Sequence, residues 1–210
     1  QWQRGEAREV QWQSFANAPA EPLPLGSRSL ADLERFQWVR LSGRYDATRQ
    51  FLLDNRTHEG QAGYEVLTPF VLSDGRTVLV NRGWVPFTGF RERLPDVAFE
   101  TGVSEVVGRV DELPSAGLQS GRAPPTSGES WPKLTTYPSI EELRAALGRE
   151  IEPRIVLLDP KAEAGYARDW HPPGFSPARH WSYAFQWWSF AAALIVIWMI
   201  LTLRRGRRAP

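Results

Sequence analysis

A long uncharged stretch near the C-terminus constrains the fold of this chain more than any other feature of the sequence. The seventeen residues from Trp187 to Leu203 read WWSFAAALIVIWMILTL. The six residues before them, from Trp181, are also uncharged, and together the two segments exceed the roughly 20 residues that cross about 30 Å of hydrocarbon. We therefore predict a transmembrane helix over 179–203.

An arginine cluster directly after this stretch indicates how the predicted helix is oriented. Residues 204–208 read RRGRR, and each arginine placed at mid-membrane would cost about 2.5–3.5 kcal/mol. Because basic residues are enriched on the cytoplasmic side of membranes, we expect residues 204–210 to form a cytoplasmic tail. The residues before the helix are then extracytoplasmic, which in a bacterium means periplasmic. Lysine is scarce in the chain, which is typical of a GC-rich bacterial genome. The expected location is the bacterial inner membrane.

The beginning of the sequence is interpreted together with this topology. The chain opens at Gln1 without a signal peptide, so we expect that a first transmembrane helix precedes the sequence given. Residues 1–18 are polar and are predicted to be a helical segment that follows this missing helix.

Residues 19–178 have the pattern of a β-rich extracytoplasmic domain. A capping box over 139–142 predicts a helix that ends near Gly148. Alternating or continuous apolar residues predict strands in six segments, which are 36–46, 50–56, 64–72, 77–86, 103–113 and 154–159. The predicted fold class is α+β and membrane-anchored, with about six mostly antiparallel strands, one or two helices and the C-terminal transmembrane helix.

Composition and motifs exclude several classes of function. Without the four C-terminal arginines, 21 basic residues are outnumbered by 24 acidic ones, so the domain lacks the basic surface that nucleic-acid binding requires. The chain has no cysteine and no G-x-S-x-G, H-E-x-x-H or phosphate-binding glycine motif. We therefore expect a protein that is not an enzyme and does not bind nucleic acid.

The segment VNRGWVP, around Arg82 and Trp84, allows two interpretations. Its glycine can mark a β-bulge, with the tryptophan filling the core. Alternatively, Arg82 and Trp84 form a contact surface for a partner or for carboxylates such as propionates.

Three segments of the chain carry a resemblance to a known family. They are GRYDATRQFLLDNR at 43–56, GYEVLTPFVLSDGRTVLVNRGWVP at 63–86 and RHWSYAFQWWSFA at 179–191. In this order they resemble the Surfeit locus protein 1 family of cytochrome c oxidase assembly factors. The WQR at 2–4 is similar to the family's segment after its first membrane helix, whereas residues 114–138 show little similarity.

The resemblance implies a non-enzymatic membrane protein that helps to build the haem a-containing subunit I of the terminal oxidase. Its expected partners are subunit I, other oxidase assembly factors and membrane lipid. Some bacterial members are considered to bind haem a, and the histidine at the mouth of the last helix is the candidate ligand of the haem iron. In this chain, His180 occupies that position.

From the residues alone, the segment around His180 remains open to two interpretations. Its tryptophans and tyrosine are accounted for by an aromatic belt at the membrane surface, but His180 and the polar Gln186 are not. On a helix, His180 shares one face with Trp187, and a neutral imidazole is a common ligand of haem iron. The candidate cofactor site therefore comprises His180, Gln186 and Trp187, with His180 on the metal.

Three functions are consistent with the sequence. In the first, the protein holds haem a at the outer membrane interface while subunit I acquires it. In the second, it is a scaffold that binds oxidase subunits without a cofactor. In the third, it is a generic membrane-tethered binding module for an extracytoplasmic ligand.

Overall fold

The computed structural model of the chain describes residues 2–90, 93–99, 102, 104–115, 121–163, 165–172 and 177–206. These residues divide into two units. One unit extends from Asn17 to His171, and the other contains the N-terminal and C-terminal helices.

The larger unit is built around one eight-stranded sheet. In chain order its strands are β1 (Leu23–Pro24), β2 (Trp38–Tyr45), β3 (Phe51–His58), β4 (Gln61–Leu72), β5 (Thr77–Pro86), β6 (Glu105–Asp111), β7 (Lys133–Thr135) and β8 (Ile155–Leu158). The strand order in the sheet is β1-β2-β6-β8-β5-β4-β3-β7, and β2 also pairs with β4, which closes the sheet upon itself. The pairs β1–β2, β3–β7 and β5–β8 are parallel, and the others are antiparallel.

Apolar residues on the two faces of this sheet form the core. One cluster lies between β2, β4, β5, β6 and β8 and includes Val39, Phe70 and Val156. A second cluster packs the helix α2 (Ile140–Leu147) against the sheet through Leu143 and Leu147, both almost fully buried. The alternation of buried and exposed positions along β2 shows the period of two that the sequence pattern predicts.

Local sequence signals account for the ends of α2 and for the turn between β4 and β5. Ser139 and Glu142 form a capping box, and Gly148 adopts a left-handed conformation at the C-terminal end of the helix. Both features confirm the predicted helix. Gly75 has φ +90° in the turn after β4, where the Asp-Gly pair predicts a hairpin.

The smaller unit contains two helices, α1 (Trp2–Asn17) and α3 (Pro177–Gly206). Among the described residues, no helix is both long enough and apolar enough to cross a membrane. This finding contradicts the predicted transmembrane helix over 179–203. The uncharged stretch begins with polar and amphipathic residues, since WSYAFQWWS at 181–189 contains two serines, a glutamine, a tyrosine and three tryptophans. Its strongly apolar part is therefore shorter than the roughly 20 residues that a span needs.

The predicted fold class is therefore wrong in two respects. In the part of the chain that the structure describes, no helix qualifies as a transmembrane span, and the sheet has eight strands instead of about six. The two additional strands, β1 and β7, have two and three residues, which is too short for a periodic pattern to appear in the sequence.

Candidate functional site

The Asn-Arg-Gly-Trp segment of β5 forms a β-bulge. Glu65 of β4 lies opposite Trp84, but two residues further on Leu67 lies opposite Asn81, so β5 contains one extra residue. Gly83 lies in the bulge with φ +112°, a backbone conformation that residues with a Cβ rarely adopt. This confirms the interpretation of the glycine as a bulge residue.

A second segment of the chain packs closely against this bulge. The backbone amide of Tyr166 donates to the carbonyl of Arg82, and the amide of Trp84 donates to the carbonyl of Ala167, both at 2.8 Å. A Cβ added at Gly83 would lie 2.7 Å from the Ala167 carbonyl oxygen. Glycine is therefore required here by close approach as well as by conformation.

The side chain of Arg82 lies inside the domain. It is only 2 % exposed, and its guanidinium carbon is 3.4 Å from the ring centre of Phe99 and 4.9 Å from that of Tyr166. Burial lowers the pKa of Arg82, yet an arginine stays protonated in proteins. The arrangement is a buried cation among aromatic rings, a contact that is stabilising when the cation is desolvated.

A second β-bulge lies on the other side of Glu65, in β3. Leu53 pairs with Glu65 and Arg56 pairs with Gly63, so β3 has an extra residue between them. Asn55 occupies this bulge with φ +60°, a conformation that asparagine tolerates better than most residues. Two bulges thus flank the same position of β4.

The bulges bring polar side chains of three strands together. The Asn81 amide nitrogen donates to one Glu65 carboxylate oxygen at 2.7 Å. Arg56 Nε lies 3.9 Å from the other oxygen. The Arg56 guanidinium carbon also lies 5.0 Å from the ring centre of Tyr137. Bulges commonly occur next to functional sites, where they redirect side chains.

Trp84 lies beside this polar group. Its indole packs against Gly63, where an added Cβ would be 2.5 Å from Cε2. The ring of His58 is 5.3 Å from it, tilted by 39°. Trp84 is partly exposed.

A surface cavity of about 390 Å³ lies beside the bulge of β3. Its lining includes Asn55, Arg56 and Thr57 of the bulged strand, with Tyr64 and Phe87 as aromatic walls. Tyr64 and Phe87 contact each other at 6.1 Å between ring centres. The cavity therefore combines a guanidinium with aromatic and amide groups.

The predicted site residues belong to two different units of the chain. Arg82 and Trp84 lie in the larger unit, whereas His180, Gln186 and Trp187 lie in α3. The side chain of His180 is outside the described residues. On a continuous helix, Trp187 lies about 20° around the axis from His180, whereas Gln186 lies about 120° away.

The sequence interpretation missed the residues of the cavity. His58 ends β3 close to these residues, with its ring 5.3 Å from that of Trp84. The available signal at the β3 bulge was Asn55, because asparagine is depleted in strands but enriched where φ is positive. In β5 the corresponding signal is Gly83, whereas Asn81 pairs in register with Leu67.

Comparison with known proteins identifies relatives of the chain. The model of the SURF1 family matches residues 1–192. A SURF1-like protein from Monosiga brevicollis is 27% identical over 208 residues, which cover 89% of this chain and 74% of the relative.

Two further relatives match shorter regions. Surfeit locus protein 1 from Takifugu rubripes is 32% identical over 105 residues, 42% of this chain and 43% of the relative. A SURF1-like protein from Dictyostelium discoideum is 40% identical over 58 residues, 27% of this chain and 22% of the relative.

Proposed function

The chain belongs to the SURF1 family, and we propose that it is an assembly factor for haem-copper cytochrome c oxidase. In this proposal the protein has no catalytic activity of its own and assists the insertion of haem a into subunit I. Its partners are subunit I and other oxidase assembly factors. The family match over residues 1–192 is the observation that supports the proposal most strongly.

The proposed haem site lies on α3. His180 provides a neutral imidazole for the iron, a ligand type common in haem proteins. Trp187, on nearly the same face of the helix, is 69% exposed, so its indole is available to pack against a flat macrocycle. Because Gln186 lies on a different face, we assign it a hydrogen bond to a partner or to a haem substituent. When bound, haem a is the cargo that the protein passes on.

The test is to purify the full chain from a host that makes haem a and to compare it with His180→Ala. We expect the variant to lose most of its haem and its Soret absorption. His171→Ala is the matched control, because His171 is exposed and pairs with Asp169 at 2.9 Å in the other unit. An unchanged Soret band in His180→Ala, or equal loss in both variants, would refute the ligand assignment.

A scaffold without a cofactor is the second candidate function. It is favoured by the exposed apolar side chains of α3, among them Phe185, Trp188 and Leu194, which are 75%, 76% and 67% exposed. Exposed apolar surface of this kind is typical of contacts with a partner or a membrane. This alternative predicts co-purification with subunit I and no haem in the complex.

Association with the bacterial inner membrane is part of the proposal, with lipid as a further partner. The periplasmic orientation of the main domain and the cytoplasmic tail were inferred from the transmembrane helix over 179–203. Both remain predictions within the proposal.

A further inference from the structure

The strand β3 has an open backbone edge next to the cavity. Its pairing with β7 covers only Phe51, Leu52 and Leu53. From Asp54 to His58 the strand continues, paired with β4 on one side. On its other side, no further strand pairing involves this segment in the described part of the chain.

The orientation of the backbone at Thr57 follows from its partner on β4. Thr57 lies opposite Ala62, and the carbonyl of Ala62 accepts a hydrogen bond from the amide of Phe87 at 3.0 Å, on the side away from β3. In an antiparallel pair, both residues of such a position direct their backbone groups outward. The amide and carbonyl of Thr57 therefore face the open edge, where an additional strand can pair with them.

The guanidinium of Arg56 has hydrogen-bonding capacity to spare beside this edge. Its Nε and Nη2 are buried and have no hydrogen-bond partner among the described residues. Glu65 is 3.9 Å away, too far for a hydrogen bond, and its other oxygen is occupied by Asn81. Arg56 nevertheless lines the cavity and its side chain is 14% exposed, so a carboxylate placed in the cavity would meet the guanidinium in a partly desolvated place, where a charged pair is stronger than at the open surface.

The surroundings restrict which acidic ligand fits. Asp54 lines the same cavity as Arg56, and the Glu65 carboxylate lies 3.9 Å from Arg56 Nε, so a run of acidic residues would be repelled. Tyr64 and Phe87 supply apolar wall to the same cavity. The best complement is an extended segment with one acidic side chain and apolar or uncharged neighbours.

We propose that the open edge of β3 binds an extended peptide segment of a partner protein, which adds as a strand at Thr57 and places one acidic side chain against Arg56. Backbone hydrogen bonds provide the affinity in such strand addition, and the side-chain pocket provides the specificity. The proposal rests on residues of the larger unit and does not depend on haem binding or on oxidase assembly.

The test uses nuclear magnetic resonance titration of the isotope-labelled full chain. The probe is a short, acetylated and amidated peptide of alternating threonine and valine with one central glutamate. A second peptide carries glutamine in its place. We expect the glutamate peptide to shift the amide signals of residues 54–58 and to bind about tenfold more tightly than the glutamine peptide, because one charged hydrogen-bonded pair is lost. This comparison leaves the protein itself unchanged.

Variants of the protein separate the two parts of the site. Arg56→Gln should lower the affinity for the glutamate peptide by about tenfold. Arg44 is an exposed arginine on β2, and Arg44→Gln should leave this affinity unchanged. Thr57→Pro removes the outward-facing backbone amide and should lower the affinity for both peptides. Far-ultraviolet circular dichroism confirms that each variant folds.

Several results would overturn the proposal. They are the absence of binding at millimolar peptide, equal affinity for both peptides, and equal weakening by Arg44→Gln. Unchanged binding to Thr57→Pro would refute strand addition. Glutarate binding as tightly as the glutamate peptide would identify a site for small acids instead of a peptide site.

Discussion

Replacement of Gly83 by alanine tests whether the β5 bulge depends on its close contact with residues 166–167. The glycine has φ +112°, and holding another residue in a disfavoured region of this kind costs about 1–3 kcal/mol. The added Cβ would also lie 2.7 Å from the Ala167 carbonyl oxygen, so the two segments must separate.

That separation gives the expected magnitude. It breaks the two backbone hydrogen bonds that join Arg82 to Tyr166 and Trp84 to Ala167, each of which contributes about 0.5–1.5 kcal/mol. Together with the backbone strain, Gly83→Ala should lower the free energy of unfolding by roughly 2–6 kcal/mol.

Gly75→Ala is the matched control. Gly75 has a similar φ of +90°, but an added Cβ there meets no atom within 4 Å, so the variant carries the strain without the collision. Urea unfolding followed by circular dichroism measures both free energies. The reasoning is refuted if Gly83→Ala destabilises the protein no more than Gly75→Ala does.

Three further variants test other contacts of the larger unit by urea unfolding. Ser139→Ala removes the helix-capping hydroxyl that accepts a hydrogen bond from the backbone amide of Glu142. It should lower the free energy of unfolding by about 1 kcal/mol. Burial of Asp46, which raises its pKa, is outweighed by hydrogen bonds from Thr48 and Arg149, and the net pKa is lowered. The stabilisation is therefore present above the unfolded pKa of about 3.9 and is lost as the pH falls through the lower folded value. Asp46→Asn should accordingly cost up to about 1 kcal/mol at neutral pH and progressively less below about pH 4; a constant difference would contradict this. Burial raises the pKa of Tyr45 to about 12, and its hydroxyl has no hydrogen-bond partner among the described residues, so Tyr45→Phe should leave stability unchanged or raise it by up to about 1 kcal/mol.

The long strands and the capped helix could be predicted because their signals are local. The predicted strand over 77–86 coincides with β5, and the capping box at Ser139 begins α2 where expected. Each element repeats its pattern over enough residues, or carries enough specific groups, to be recognised without tertiary information.

The sequence could not predict which residues converge on Glu65. Arg56 and Asn81 are far apart in the chain, and both reach Glu65 because two bulges shift the strand registers on either side of it. A glycine or an asparagine can indicate that a strand contains a bulge, but which side chains then meet depends on the pairing of strands, which no local pattern contains.

The prediction of a transmembrane helix was wrong because absence of charge was taken as apolarity. It counted uncharged residues from Trp181 to Leu203, but the first nine of these include two serines, a glutamine and three tryptophans, which are uncharged without being strongly apolar. The absence of charge indicated a continuous helix, but it did not establish a span.

The proposed function is tested most directly by the haem a content of cytochrome c oxidase in a strain that lacks this protein. Reduced-minus-oxidised spectra of its membranes measure haem a against total oxidase subunit I. We expect the ratio to fall without the protein and to recover when the wild-type chain is restored. An unchanged ratio in the strain without the protein would contradict a role in oxidase assembly through haem a insertion.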